Sequence, residues 1–298
     1  MARHLRVFEA AMAGPRLIAR RPLSVFAWGL LTVAGLGVIM ALVFAVVGEP
    51  ITDPDGVQAG DMVAEIVRQQ MLMGPMNLIL YALQAVLGAA VVRAVLRPRA
   101  RETAAFLRVG VAELLLLVAQ IAIGIGIGLV AVVLFMVAAA VAFGVGMASQ
   151  TAGYALGAVL GLAALVAVWW LALRTALIPP MTVATRKLAF VEGWDLARGQ
   201  VWPLLGVALL TVLILLLTYV LMIALMIGLA VAAGVAASWS NVDPDSLRPL
   251  LEDPWRFAPW LIGAGLLMAV WMGVFQALAY APWADAYRQL AGDGEAEA

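Results

Sequence analysis

Residues 114–173 read LLLLVAQIAIGIGIGLVAVVLFMVAAAVAFGVGMASQTAGYALGAVLGLAALVAVWWLAL and contain no Asp, Glu, Lys or Arg. A domain folded in water carries charged side chains over its whole surface, so a stretch of this length does not belong to one. A helix that crosses the roughly 30 Å hydrocarbon core of a bilayer needs about 20 apolar residues. The sequence therefore predicts that these residues cross a membrane twice.

The composition of the whole chain indicates the same environment. Hydrophobic residues make up 65% of the sequence and charged residues 12%, with a mean hydropathy of +1.04, which lies outside the usual range of soluble proteins. There is no cysteine, and His4 is the only histidine. These absences argue against a thiolate or histidine metal site, a disulfide framework and a cysteine nucleophile. We therefore expect no catalytic residues, no metal and no cofactor.

Four further apolar segments complete a prediction of six crossings. The long uncharged run divides at about 146–153, and Pro179 and Pro180 are predicted to end the fourth span.

An acidic stretch over 48–74 separates the first two spans. Its apolar residues at helical spacing predict a short interfacial helix, with a solvated loop as the alternative. A cleavable signal peptide is the alternative for the first span, but the segment is long for one. The predicted spans are 23–47, 75–96, 111–146, the run from the break to Pro179, 203–237 and 259–281.

The predicted fold class is an all-α polytopic membrane protein with six transmembrane helices and short interfacial amphipathic helices. We expect one membrane domain over 1–298. It is divided into an amphipathic segment (1–21), helices one and two (22–96), helices three and four (97–180), a basic link with helices five and six (181–288) and an acidic tail (289–298).

The basic residues predict the orientation. Six crossings place Arg68, Arg248 and Arg256 on one side, and the other 15 of the 18 Lys and Arg residues on the side of both termini. Loops rich in Lys and Arg stay in the cytoplasm. We therefore expect both termini to be cytoplasmic.

Two segments on the basic side are predicted to be helices lying on the inner leaflet. Leu5, Phe8 and Met12 fall on one helical stripe before the first span, and Phe190, Trp194 and Ala197 do so before the fifth. A stripe of large apolar side chains beside Arg residues is typical of a helix at the bilayer surface.

Residues 177–202 resemble the cytoplasmic segment of the glycerophosphoryl diester phosphodiesterase membrane-domain family. The likeness rests on LIPPMTVATRK at 177–187, on Phe190, on GWDLARG at 193–199 and on Trp202. Thr185 and Gly193 depart from the family, which often has Glu and Ser there. The resemblance implies a bacterial inner-membrane protein. Catalysis in the namesake enzymes belongs to a separate soluble barrel, so the resemblance implies no phosphodiesterase activity for a membrane domain alone.

Glycines inside the spans are interpreted as packing positions. The run Gly124-Ile125-Gly126-Ile127-Gly128 lies within a span and lacks the strand and helix start of a phosphate-binding loop. Gly153, Gly157 and Gly161 repeat every four residues and line one face of span four, so another helix can approach closely. This spacing predicts that span four lies at the centre of the bundle.

Three ionisable residues fall at similar depth near the basic side, namely Glu113, Arg93 and Arg174. Burial of each charge is costly, so we expect Glu113 to pair with Arg174 or Arg93. The pair is either structural or part of a proton or anion site. Gln84, Gln120 and Gln276 add polar groups within the spans, which interhelical hydrogen bonds explain.

The predicted function is that of a non-catalytic inner-membrane component that associates with lipid or binds a partner. Anionic lipid headgroups are the expected ligands, and a membrane-protein partner or a second copy of the chain is the other candidate; no nucleic acid is expected. The alternative is a permease for a small or amphipathic solute with Glu113 and Arg174 at its inner mouth. Control of topology is the simplest role for the basic loops. The candidate headgroup contacts are Arg97, Arg99, Arg101, Arg186, Lys187 and Arg198.

Overall fold

The structure, a computed structural model, describes residues 5–47, 59–97, 104–108, 110–232 and 254–292. These residues form helices and no strands, which confirms the predicted all-α class. The helices are α1 (Val7–Ala11), α2 (Ala13–Arg20), α3 (Pro22–Val47), α4 (Ala59–Leu96), a 3₁₀ helix (Ala104–Phe106), α5 (Val111–Gly146), α6 (Gln150–Thr175), α7 (Ile178–Thr185), α8 (Phe190–Leu196), α9 (Val201–Ala232) and α10 (Pro254–Ala291).

Six helical segments of the described chain are long and apolar enough to cross a membrane, as predicted. They belong to α3, α4, α5, α6 with α7, α9 and α10. The first and last of these spans run antiparallel, because Val25 and Gly29 of α3 face Gly273 and Ala269 of α10, respectively. The short helices gather where α4, α6 and α10 end and α3, α5 and α9 begin, which we call the basic end.

The helices differ from the predicted spans at several ends. Residues 59–74, predicted as an interfacial helix or loop, are continuous with the second span in α4, which contains Pro75. A membrane helix tolerates such a proline because only local hydrogen bonding is lost. Pro179 and Pro180 do not end span four: α6 stops at Thr175, and the prolines occupy the first turn of α7, where no intrahelical N–H bond is needed. The last helix is longer than predicted at both ends.

The closest backbone approach at a glycine in the described residues joins α3 and α10. A Cβ built on Gly29 would lie 1.7 Å from the carbonyl oxygen of Ala269, and one on Gly273 would lie 2.0 Å from that of Val25. Only glycine allows the two backbones to approach so closely. The first and last spans are therefore locked together along a seam of small residues.

The core is densest at the basic end, where α1 and α2 fold back against the spans. Gly14 of α2 packs on the backbone of α10 at Ala277 and Leu278, and Val7 of α1 contacts Gly206 of α9. The backbone N–H of Arg6 donates to the side chain of Gln289 at 2.8 Å, so the two ends of the described chain meet. The N-terminal segment is thus part of the bundle.

The residues of the predicted stripe before the first span differ in burial. Leu5 is buried, but Phe8 is 66% exposed and Met12 is half-buried, because α1 turns Ala10 and Ala11 inward. In the second segment Ala197 is buried, and Phe190 and Trp194 are half-buried.

Span four does not lie at the bundle centre, contrary to the prediction. Half of the apolar stretch of α4 is buried (50%), but only 11% of that of α6. A Cβ on Gly153 would lie 2.6 Å from the Cα of Gly146, and one on Gly157 would lie 3.1 Å from the Cβ of Ala142, so both glycines pack against α5. No atom lies within 4 Å of a Cβ on Gly161. The glycines close a hairpin of α5 and α6 at the side of the bundle.

Candidate anion-binding cavity

A cavity of about 270 Å³ opens at the basic end between α4, α5 and α7. Arg93 and Arg97 lie one turn apart at the end of α4, so their side chains project from the same face. Gly110 and the first turn of α5 form a second wall. The cavity is lined by four arginines and one glutamate, namely Arg93, Arg97, Arg108, Arg186 and Glu113.

Glu113 and Arg93 form an ion pair at the floor of this cavity. Arg93 Nη1 contacts Glu113 Oε1, and the two side chains are 17% and 5% exposed, respectively. Arg93 Nη2 also donates to the carbonyl oxygen of Phe106 at 2.9 Å. The structure therefore joins Glu113 to Arg93, whereas Arg174 lies elsewhere, over the rings of Trp170 and Trp194.

The link between α4 and α5 is held in an unusual conformation that brings Arg108 to the cavity. Ala105 and Phe106 have φ values of 51° and 60°, which side-chain-bearing residues rarely adopt. The buried indole N–H of Trp28 donates to the carbonyl oxygen of Ala105 at 2.8 Å, and the guanidinium of Arg21 lies 4.6 Å from the ring centroid of Phe106. Contacts from α3 and α4 thus fix the link.

Arg186 reaches the cavity from the end of α7. It caps this helix in the left-handed conformation, with φ 54°, and the turn places it beside Val183 and Ala184 in the cavity wall. Within the described residues, Arg97, Arg108 and Arg186 have no carboxylate partner. Their charges, together with the free N–H groups of the first turn of α5, favour an anion.

A second basic cavity, of about 480 Å³, lies on the other side of the last turn of α4. Here Arg288 contacts Asp285 and donates to the carbonyl oxygen of Val95 at 3.2 Å. Arg16 and Arg20, one turn apart on α2, are exposed at its rim, and Arg21 also contributes. The two cavities place most of the described positive charge around the end of α4.

The predicted headgroup contacts are only partly brought together. Arg97 and Arg186 line the first cavity, whereas Lys187 and Arg198 are exposed outside its wall. Arg99 and Arg101 lie outside the described residues. Sequence reasoning did not single out Arg108, which lines the first cavity, or Arg16, Arg20 and Arg288, which line the second. The i, i+4 spacing of Arg16 and Arg20 beside buried Leu17 is a signal that could have identified one basic face.

The glutamines of three spans meet inside the bundle. Gln276 Nε2 donates to Gln84 Oε1 at 2.9 Å, and the hydroxyl of Tyr280 lies 3.5 Å from the same oxygen. The side chain of Gln120 approaches this hydroxyl. In the part of the chain that the structure describes, no cluster of three or more His, Cys, Asp or Glu side chains could hold a metal.

Comparison of the chain with protein-family models, with curated proteins and with solved structures finds no match.

Proposed function

We propose that this protein is a non-catalytic component of a bacterial inner membrane that binds the headgroup of an anionic phospholipid in the first basic cavity. The convergence of Arg97, Arg108 and Arg186 on one cavity supports this proposal. With both termini cytoplasmic, the cavity lies at the level of the inner-leaflet headgroups. A phosphate there would accept hydrogen bonds from guanidinium groups and from the first turn of α5.

The convergence of these three arginines on one cavity is not needed to orient the protein in the membrane. Control of orientation depends on the number of Lys and Arg residues near the span ends and not on their convergence. Each basic residue near an anionic surface contributes about 1 kcal/mol. Three arginines without carboxylate partners among the described residues therefore suffice for a marked preference for anionic lipid.

The test is native mass spectrometry of the protein extracted from its own membrane. We expect a retained anionic phospholipid in the wild type and its loss in an Arg97→Gln/Arg186→Gln variant. An Arg6→Gln/Lys187→Gln variant removes the same charge from the same end but leaves the cavity intact, and it should retain the lipid. Equal lipid loss in both variants would contradict a specific site. A retained partner chain or second copy without lipid would favour the partner-binding role.

A permease is the second candidate, because the spans contain two polar groups of side chains, namely the ion pair of Glu113 and Arg93 and the cluster of Gln84, Gln276 and Tyr280. Along α4, Ala89 and Val92 lie between Gln84 and Arg93, and on α5 Leu116 follows Glu113. All three are buried and apolar, so the described conformation favours binding over passage. Glu113→Gln separates the two functions. Loss of solute uptake by a normally assembled variant would support the permease.

The likeness of residues 177–202 to the phosphodiesterase membrane-domain family stays a prediction. It favours the same inner-membrane location and a role without catalysis.

A further inference from the structure

Arg174 lies near the end of a membrane span. Among the described residues, its positive charge has no carboxylate partner. Its guanidinium carbon lies 5.3 Å from the ring centroid of Trp170 and 4.6 Å from that of Trp194. The rings themselves meet edge to face, with centroids 6.0 Å apart. Ring faces attract the charge but accept little from the N–H donors, and Nε is buried without an acceptor. The N–H groups of Arg174 are therefore suited to donate to an anionic oxygen.

An apolar crevice of about 600 Å³ lies between α6 and α9, and its wall includes Trp170 and Leu173, the residue before Arg174. Trp170 forms part of its wall, so the same ring borders the crevice and contacts the guanidinium. Trp169 and Trp202 are further wall residues, and all three indoles are exposed at the surface of the described chain. In a bilayer this surface faces hydrocarbon, so the crevice opens sideways to lipid.

The crevice and the cation are arranged like the two parts of an amphiphile. Along α6 the wall extends from Leu173 to Leu165, which is about 12 Å at 1.5 Å per residue, and it runs away from the basic end. Arg174 follows at the end that approaches the headgroup layer. A lipid from the adjacent leaflet would therefore place its charged headgroup beside Arg174 and its acyl chain along the apolar wall.

We propose that this crevice binds one anionic glycerophospholipid, with its phosphate on Arg174 and one acyl chain between α6 and α9. The planar guanidinium is suited to a phosphate, which it contacts through two N–H groups at once. The crevice volume lies in the range of small-molecule sites, about 300–1,000 Å³. The site shares no residue with the first basic cavity, so either proposal stands if the other fails.

The test uses quenching of tryptophan fluorescence by brominated acyl chains. The full-length protein is placed in phosphatidylcholine nanodiscs that contain a small fraction of brominated phosphatidylglycerol or, in parallel, of brominated phosphatidylcholine. We expect the anionic lipid to quench more strongly at equal mole fraction, and Arg174→Gln to reduce this preference about fivefold. Arg174→Lys should keep part of it, because the charge remains but the two-point contact is lost.

Two further variants show whether the preference arises at this crevice. Val166→Phe fills the crevice while leaving Arg174 in place, and it should also abolish the preference. Arg97→Gln/Arg186→Gln, which alters only the first cavity, should leave it unchanged. The proposal fails if the two brominated lipids quench equally in the wild type, or if well-folded Arg174→Gln and Val166→Phe variants retain the full preference. Exclusion of both lipids by a second copy of the chain would also overturn it.

Discussion

At the scale of single residues, the ion pair of Glu113 and Arg93 shows what one sequence can specify. Depth in the membrane made both Arg93 and Arg174 plausible partners, and the sequence alone did not distinguish them. The choice depends on which face of α4 meets α5 and on the carbonyl of Phe106, which also binds Arg93. Arg174 instead finds aromatic rings, a contact that requires α8 to fold back on α6.

We predict that Glu113→Gln lowers the free energy of unfolding by about 3–5 kcal/mol, because it leaves the charge of Arg93 buried without its partner. Glu9→Gln is the matched control: its ion pair with Arg6 is exposed, and its loss should change stability by about 1 kcal/mol or less. Denaturant titration in detergent measures both.

A double variant checks the physical reason for this loss. Arg93→Met/Glu113→Leu removes both charges and should be more stable than Glu113→Gln alone. If Glu113→Gln and Glu9→Gln unfold alike, the buried pair does not stabilise the protein.

At the scale of helices, the existence of the spans was predictable and their packing was not. The predicted bounds of the third span, 111–146, are the observed bounds of α5. Each end lies where charged residues or glycines interrupt the apolar run. Gly153 and Gly157 pack against α5, whereas Gly161 has open space beside it, and the sequence analysis did not identify the tighter seam at Gly29 and Gly273. A small residue allows another helix to pack closely at that position. Whether a helix packs there depends on the arrangement of the whole bundle. The spacing of Ala269 and Gly273 was the available signal.

Glycine-to-alanine substitutions test the seam. We expect Gly29→Ala or Gly273→Ala to lower stability by about 1–3 kcal/mol or more, because the added methyl group would meet backbone atoms. Gly161→Ala should be neutral or stabilise by up to about 1 kcal/mol, since space is free and alanine favours helix. Thermal unfolding in detergent distinguishes them, and equal effects at the three positions would contradict the close contact.

At the scale of the whole molecule, the meeting of Arg6 and Gln289 requires that the described chain begin and end on the same side of the bundle. The sequence predicted this arrangement from charge, since an odd number of spans would have divided the basic residues between both sides. Predictions from hydropathy and charge use sums over many residues, so an error at a few positions does not change the predicted topology. The cavities depend on individual side chains from separate helices, so their composition could not be predicted.

Cysteine labelling tests the orientation, because the native chain has no cysteine. Phe8→Cys and Leu188→Cys place exposed thiols at the basic end, and Met147→Cys places one at the opposite end. For the bacterial inner-membrane location proposed above, an impermeant maleimide added to cells with a permeabilised outer membrane should label only the Met147→Cys variant; after lysis it should label all three. Labelling of positions 8 and 188 from different sides would contradict the fold, whereas the reverse pattern would invert the orientation alone.

The seam of Gly29 and Gly273 also bears on how the protein is made. Its two halves are 244 positions apart in the chain, so α3 enters the bilayer long before its partner exists. At a synthesis rate of about 5–20 residues per second, α3 waits for about 10–50 s. During that interval its small-residue face is not covered by α10, and a nascent chain halted before α10 would keep that face uncovered.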